Sequence, residues 1–223
     1  MTSAREAKID LRYTPLYTQM EVSRYARVRP ATVRTWALSM RSPVIVPADT
    51  RSASPLSFVN LVEVHVLRAL RQVHRVPLQR IRSALDWLAE KYRVKHPLAE
   101  IDLETDGYDV FVRRLQHTVS ASERGQIAIP AVVDRYLKRI ERDQHNVPVR
   151  FFPFPYDASP KIVVMDPSID FGRPVIAKTR IATSIIFERY GGGEAMKDIA
   201  EDYGLDIIAV EEALRCEMER TAA

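Results

Sequence analysis

The chain has 223 residues, 46% of them hydrophobic and 28% charged, with seven glycines; this excludes fibrous and disordered classes and fits one large globular domain or two or three small ones. A single cysteine, Cys216, excludes an internal disulfide framework. No apolar run approaches the ~20 residues of a membrane helix and residues 1–6 lack the apolar core of a signal peptide, so a cytoplasmic protein with no membrane partner is expected.

The net charge of +4 conceals a split: residues 1–150 carry 25 Lys/Arg against 16 Asp/Glu, and residues 151–223 carry 8 against 13. The first part suits a polyanion and the second repels one.

In chain order, the first ~12 residues read as a loose arm. Thr18-Gln19-Met20-Glu21 is a capping box that opens a helix, with Met20, Val22, Tyr25 and Ala26 as its apolar positions. Val28-Arg29-Pro30 breaks it. A second helix, started by Pro30, runs to about Met40 with Val33, Trp36 and Ala37 facing inward. Residues 42–47 read as extended and 48–55 as a loop, together a small wing or hairpin. A long apolar helix follows from Ser57-Phe58 to about Val73. Another begins at Pro77, its stripe Leu78, Ile81, Leu85, Leu88 and Tyr92 spaced at three and four residues. Residues 101–104 and 108–112 alternate like a β-hairpin, and Ile129, Val132, Val133, Tyr136, Leu137 and Ile140 mark a further helix. Phe151-Phe152-Pro153-Phe154-Pro155 is an extended linker. A strand at 161–165, a turn-rich stretch at 166–174 and three short helices near 183–190, 194–203 and 206–219 complete the chain, with Gly204 at a helix C-terminus.

The pattern predicts a mainly α chain with short β-hairpins (α+β). Its expected parts are a winged-type helix-turn-helix at 1–56, a helical and mixed α/β middle region at 57–155 and a small three-helix domain at 156–223.

The helix pair at about 18–40 carries the chemistry. Two short helices with a tight turn place the second in the major groove of DNA. From Arg12 to Arg41 there are six arginines against one acid, Glu21, and arginine reads guanine edges or holds phosphates. The candidate DNA-binding residues are Arg24, Arg27, Arg29, Thr32, Arg34, Thr35 and Arg41. The C-terminal helices share the rhythm but hold nine acids and two bases between Glu194 and Glu219, a surface that repels phosphate and suits dimerisation or a basic partner.

Enzyme signatures are absent. Asp102, Glu104 and Asp106 fail as a calcium loop because Arg113 stands at the twelfth position. The five histidines form no metal-ligand spacing, Gly191-Gly192-Gly193 lacks the Lys-Ser/Thr of a phosphate loop, and Cys216 reads as a packing residue. No catalytic residue, cofactor or metal is expected.

The stretch Asp166-Pro167, Phe171-Gly172-Arg173-Pro174-Val175-Ile176, Thr179-Arg180-Ile181-Ala182-Thr183, then Asp198-Ile199-Ala200-Glu201-Asp202-Tyr203-Gly204-Leu205 and Val210-Glu211-Glu212-Ala213-Leu214, resembles a small bacterial domain. That domain, long of unknown function, is associated with VapB-type antitoxins. Lys178 stands where the family usually has glycine. Residues 17–41 resemble the helix-turn-helix of MerR-like regulators, and the helices from Ser57 onward, with Leu56-Ser57-Phe58-Val59-Asn60-Leu61-Val62-Glu63, resemble the segment that precedes the C-terminal domain in long, VapB45-like antitoxins.

The resemblance implies an antitoxin that neutralises a PIN-like ribonuclease toxin and binds its own promoter DNA as a homodimeric autorepressor. A stand-alone MerR-like transcriptional regulator is the alternative. Arginines entering a carboxylate-rich nuclease site would neutralise it. Arg173, Lys178 and Arg180 are the candidates for such toxin contacts, or else they hold their turn together.

Overall fold

The structure is a computed structural model, and it describes residues 9–39, 43–73, 77–101, 136–153 and 160–221. In chain order they form α1 (Gln19–Ala26), α2 (Pro30–Ala37), α3 (Phe58–Arg68), α4 (Leu78–Tyr92), α5 (Pro97–Glu100), β1 (Ile140–Arg142), β2 (Pro148–Phe151), β3 (Val163–Val164), β4 (Val175–Ile176), α6 (Thr183–Gly191), α7 (Met196–Tyr203) and α8 (Ile207–Thr221). The architecture is α+β: helices with two small antiparallel sheets, β1–β2 and β3–β4.

The centre is α3, in which every residue from Phe58 to Leu67 is buried. Its apolar side chains, Leu61, Val62, Val66 and Leu67 among them, each contribute roughly 1.5–3 kcal/mol by leaving water. The polar ones are satisfied. Ser57 and Asn60 form a reciprocal cap, and Glu63 accepts from Asn60 at 3.2 Å and lies 3.0 Å from His96 Nδ1. α1, α5 and β2 pack on α3. One core runs from Tyr17 and Val22 through Trp36, Leu61 and Leu88 to Phe151 and Met165. A second is built by Val163, Ile176, Ile186, Ile199, Val210 and Leu214.

The segment before α1 is a strap. Arg12 pairs with Asp10 at 2.7 Å and with Asp143 at 2.5 Å, and its carbonyl accepts from Val59 N–H. Tyr13 donates to Glu100 at 2.7 Å, and the Tyr17 hydroxyl donates to Gly172 O at 2.9 Å. The loose arm expected to reach residue 12 is therefore already anchored at Asp10–Arg12, where ion pairs hold it.

Other expectations change too. Met20 is 45% exposed rather than inward, and Tyr92 is 41% exposed at the end of its stripe. The α3 helix ends in a π-helical turn, Ala69–Val73. Residues 43–55 contain no strand; they form a loop closed by Asp49 N–H on Pro55 O. The helix expected to include Ile140 stops earlier, because Ile140 pairs with Phe151 in the β1–β2 hairpin. Its turn is built by the Asp143 carboxylate, which accepts from His145 and Val147 N–H, and by Asn146 at φ 62°, a residue that tolerates left-handed backbone. The expected hairpin and acidic near-motif at 102–113, and most of the helix expected from Ile129, lie outside the described residues.

Candidate nucleic-acid interface

The helix pair forms as its sequence dictates. Thr18 accepts from Glu21 N–H, and the Glu21 carboxylate accepts from Thr18 N–H at 2.8 Å, closing the capping box. Arg27 ends α1 in left-handed backbone, φ 54°. Val28 N–H then bonds Ser23 O at 2.9 Å, and Ser23 Oγ donates to Val28 O at 2.5 Å. This compact turn sets the angle at which Pro30 starts α2. Gln19 Nε2 donates across the pair to Pro30 O at 2.7 Å, and Arg68 of α3 donates to Ala26 O at 3.3 Å. Val33, Trp36 and Ala37 fix the inner face of α2.

The opposite face of α2 is open. Arg29, Ala31, Arg34 and Thr35 are exposed and Thr32 is half-buried. Thr35 spends its proton on Ala31 O at 2.9 Å, which leaves its oxygen as an acceptor. Arg24 and Arg27 are half-buried, on α1 and the turn, so they border the helix rather than crown it. Arg41 lies outside the described residues.

After α2 the chain folds back: Val44 and Ile45 N–H donate to Trp36 O at 2.7 and 3.0 Å. Asn60 of α3 holds the loop that follows, accepting from Ala48 N–H and donating to Val46 O. The loop displays Arg51, exposed, a cation that sequence reasoning passed over. An arginine in a Ser/Ala-rich loop beside a helix-turn-helix was the available signal.

The C-terminal candidates lie on another element. Val175 bridges Ala182, and Ile176 N–H donates to Ile181 O at 2.8 Å, so residues 175–182 form a tight hairpin with Lys178 and Arg180 at its turn and Arg173 before its first strand. All three are exposed. They do not join the arginines of the helix pair in one cluster of the sequence or of an element. Among the described residues no group of three or more His, Cys, Asp or Glu is placed to hold a metal ion, and no helix is long and apolar enough to cross a membrane.

Two family models match. Residues 15–85 match one described as "Putative DNA-binding HTH domain", which takes in α1 to most of α4. Residues 163–215 match "Protein of unknown function (DUF433)". The chain is also 32% identical, over 95% of its own length and 98% of the relative's, to "Putative antitoxin VapB45" of Mycobacterium tuberculosis. The chain belongs to this antitoxin family. A further relative in the same bacterium, "Uncharacterized protein Rv2308", is 24% identical over 89% of this chain and 88% of its own. The crystal structure of Rv2018 from Mycobacterium tuberculosis superposes with a TM-score of 0.75 at 31% identity, covering 90% of this chain and 98% of that one. This chain thus carries both matches, the helix-turn-helix and the C-terminal domain, in one polypeptide. The α+β fold with an N-terminal helix-turn-helix agrees with the sequence-based expectation.

Proposed function

We propose that the protein is the antitoxin of a type II toxin–antitoxin pair, one that neutralises a PIN-like ribonuclease and represses its own promoter as a homodimer. The observation that carries this reading is the coincidence, in one VapB45-type chain, of an open, basic second helix with a separately packed acidic domain. The exposed face of α2 bears Arg29, Arg34 and Thr35 and lacks acids, as a DNA-reading helix requires. The C-terminal helices are too acidic for that task, which leaves them for protein contacts. In this reading Arg29, Thr32, Arg34 and Thr35 face DNA. Arg24, Arg27 and Arg41 hold its backbone, and Arg173, Lys178 and Arg180 face the toxin.

The test is twofold. Expressed alone, the product of the adjacent gene should arrest growth, and co-expression of this protein should restore it. The purified protein should also shift a fragment of its own promoter and leave a scrambled fragment unshifted. A harmless neighbour combined with a promoter shift sinks the antitoxin reading and supports a stand-alone regulator.

A further inference from the structure

The segment Asp170–Gly172 is strained. Asp170, Phe171 and Gly172 all have positive φ, at 44°, 51° and 76°, a region that disfavours side chains beyond glycine. Gly172 suits this backbone, having no side chain to strain, and a Cβ there would lie 2.0 Å from the buried Tyr17 hydroxyl. Phe171 lacks that freedom, and among the described residues its ring belongs to no apolar cluster and is 71% exposed. Single exposed apolar residues are ordinary, but a bulky aromatic held in water on left-handed backbone is not.

The strain is also held firmly. Asp166 accepts from Ser168 N–H and Oγ at 2.9 and 2.6 Å. Gly172 N–H bonds Ile169 O, and Arg173 N–H bonds Asp170 O. Tyr17 clamps Gly172 O from the other side.

The charges nearby behave unusually. Among the described residues elsewhere in this acidic part of the chain, four cations stand in ion pairs: Arg189 with Glu194 and Asp202, Arg215 with Glu212, Lys197 with Glu201 and Lys161 with Glu141. Among the described residues, Arg173, Lys178 and Arg180 make no ion pair despite the surplus of carboxylates. Arg180 is also held at positive φ, 62°.

We propose that Phe171 is the anchor of a preorganised protein-docking surface. It would seat in an apolar pocket of the partner while Arg173 pairs with carboxylates on the pocket's rim. Rigid aromatic and arginine side chains are the residues on which interface energy concentrates, and a loop strained in advance loses little freedom on binding. The partner must be a protein with an apolar pocket edged by acids. Phosphate would engage the cations but gives the exposed ring no pocket. The identity of the partner as the toxin rests on the antitoxin reading above.

The experiment measures binding of the full-length protein to the purified nuclease encoded beside it, by calorimetry, together with affinity for promoter DNA. Phe171→Ala and Phe171→Gly should each raise the toxin Kd at least tenfold and leave promoter affinity within twofold. The glycine variant should unfold at no lower temperature than the wild type, which separates lost contact from lost fold. Toxin affinity within twofold of wild type in both variants overturns the inference and spares the antitoxin reading. A selective loss of promoter affinity overturns it by making the surface a nucleic-acid contact. Failure of the wild type itself to bind the nuclease overturns the antitoxin reading, and the inference with it.

Discussion

Arg34 stands at the middle of the outer face of α2, exposed, and contributes nothing to the core. Its removal should therefore leave stability unchanged and act on DNA alone. Arg34→Ala is expected to weaken binding to the preferred site by roughly 1–3 kcal/mol while non-specific binding falls less, the mark of a base contact. Fluorescence anisotropy on specific and scrambled duplexes measures both; an equal loss on the two would make it a phosphate contact.

Gly172 presents the opposite case, a residue whose role is internal. Gly172→Ala imposes a side chain at φ 76° and a collision with Tyr17 Oη, and should cost about 3 kcal/mol. Tyr17→Phe alone should cost about 1 kcal/mol for the lost bond to Gly172 O. The double variant should lose less than the two together by at least ~1 kcal/mol, since removing the hydroxyl makes room. Strict additivity in urea melts would show that the two residues do not meet as described.

At the scale of elements, α3 carries two buried histidine arrangements with opposite pH behaviour. The His65 ring lies 4.9 Å from Tyr136 and 4.7 Å from Phe151. Burial lowers its pKa to about 3, against the bond to Tyr136 O. A pKa lower in the folded state means that stability is full above the unfolded value, ~6.5, and is lost as pH falls toward 3. His96 goes the other way. Burial lowers it, but the hydrogen bond and charge of Glu63 outweigh this and hold it above its ordinary value. Glu63 is itself raised by burial. His96 binds its proton more readily in the folded chain, so its contribution is full below the unfolded value, ~6.5, and is lost as pH rises through its folded pKa. Stability should peak between the two effects. Between pH 6.5 and 5, His65 should remove on the order of 2 kcal/mol, a loss absent from His65→Gln in urea melts. An equal acid-side slope in the variant would sink this account.

The same elements show what the sequence makes legible. α1 and α2 are readable because their determinants are local: the Thr18–Glu21 box, Pro30 at a first turn, and Val33 and Trp36 about one turn apart on the inner face. Gly204, at φ 60°, ends α7 for an equally local reason. Ile140 reads as helical because its spacing from Tyr136 and Leu137 is helical; the pairing with Phe151 overrides this, with the Asp143–Asn146 turn closing the hairpin. Tyr17–Gly172 was invisible, as its partners stand 155 residues apart. The exposure of Phe171 is hidden because a large aromatic ordinarily goes inside even when a turn-rich stretch carries it. Of the interface, residue types were legible, but which arginines crown α2 and which border it required the turn at Arg27.

At the scale of the molecule, length sets a limit on recognition. α2 has eight residues and is therefore about 12 Å long, enough for three or four base pairs in one major groove. A site so short recurs too often to mark one promoter, so a single copy cannot supply the specificity that autorepression needs. Two copies related by a twofold axis would read two inverted half-sites on one face of the duplex, with centres one helical turn or a multiple of it apart, about 34 Å or 10–10.5 base pairs per turn. Hydroxyl-radical footprinting of the promoter should show two protected half-sites at that spacing. Sedimentation should show two chains per duplex, and inserting five base pairs between the half-sites should abolish tight binding by turning one half-site to the far side. The acidic C-terminal helices favour the same arrangement, since like-charged surfaces settle away from the phosphates and leave α2 toward them. A single protected patch with one chain per duplex, unaffected by the insertion, would refute the dimeric repressor while leaving the helix-turn-helix itself in place.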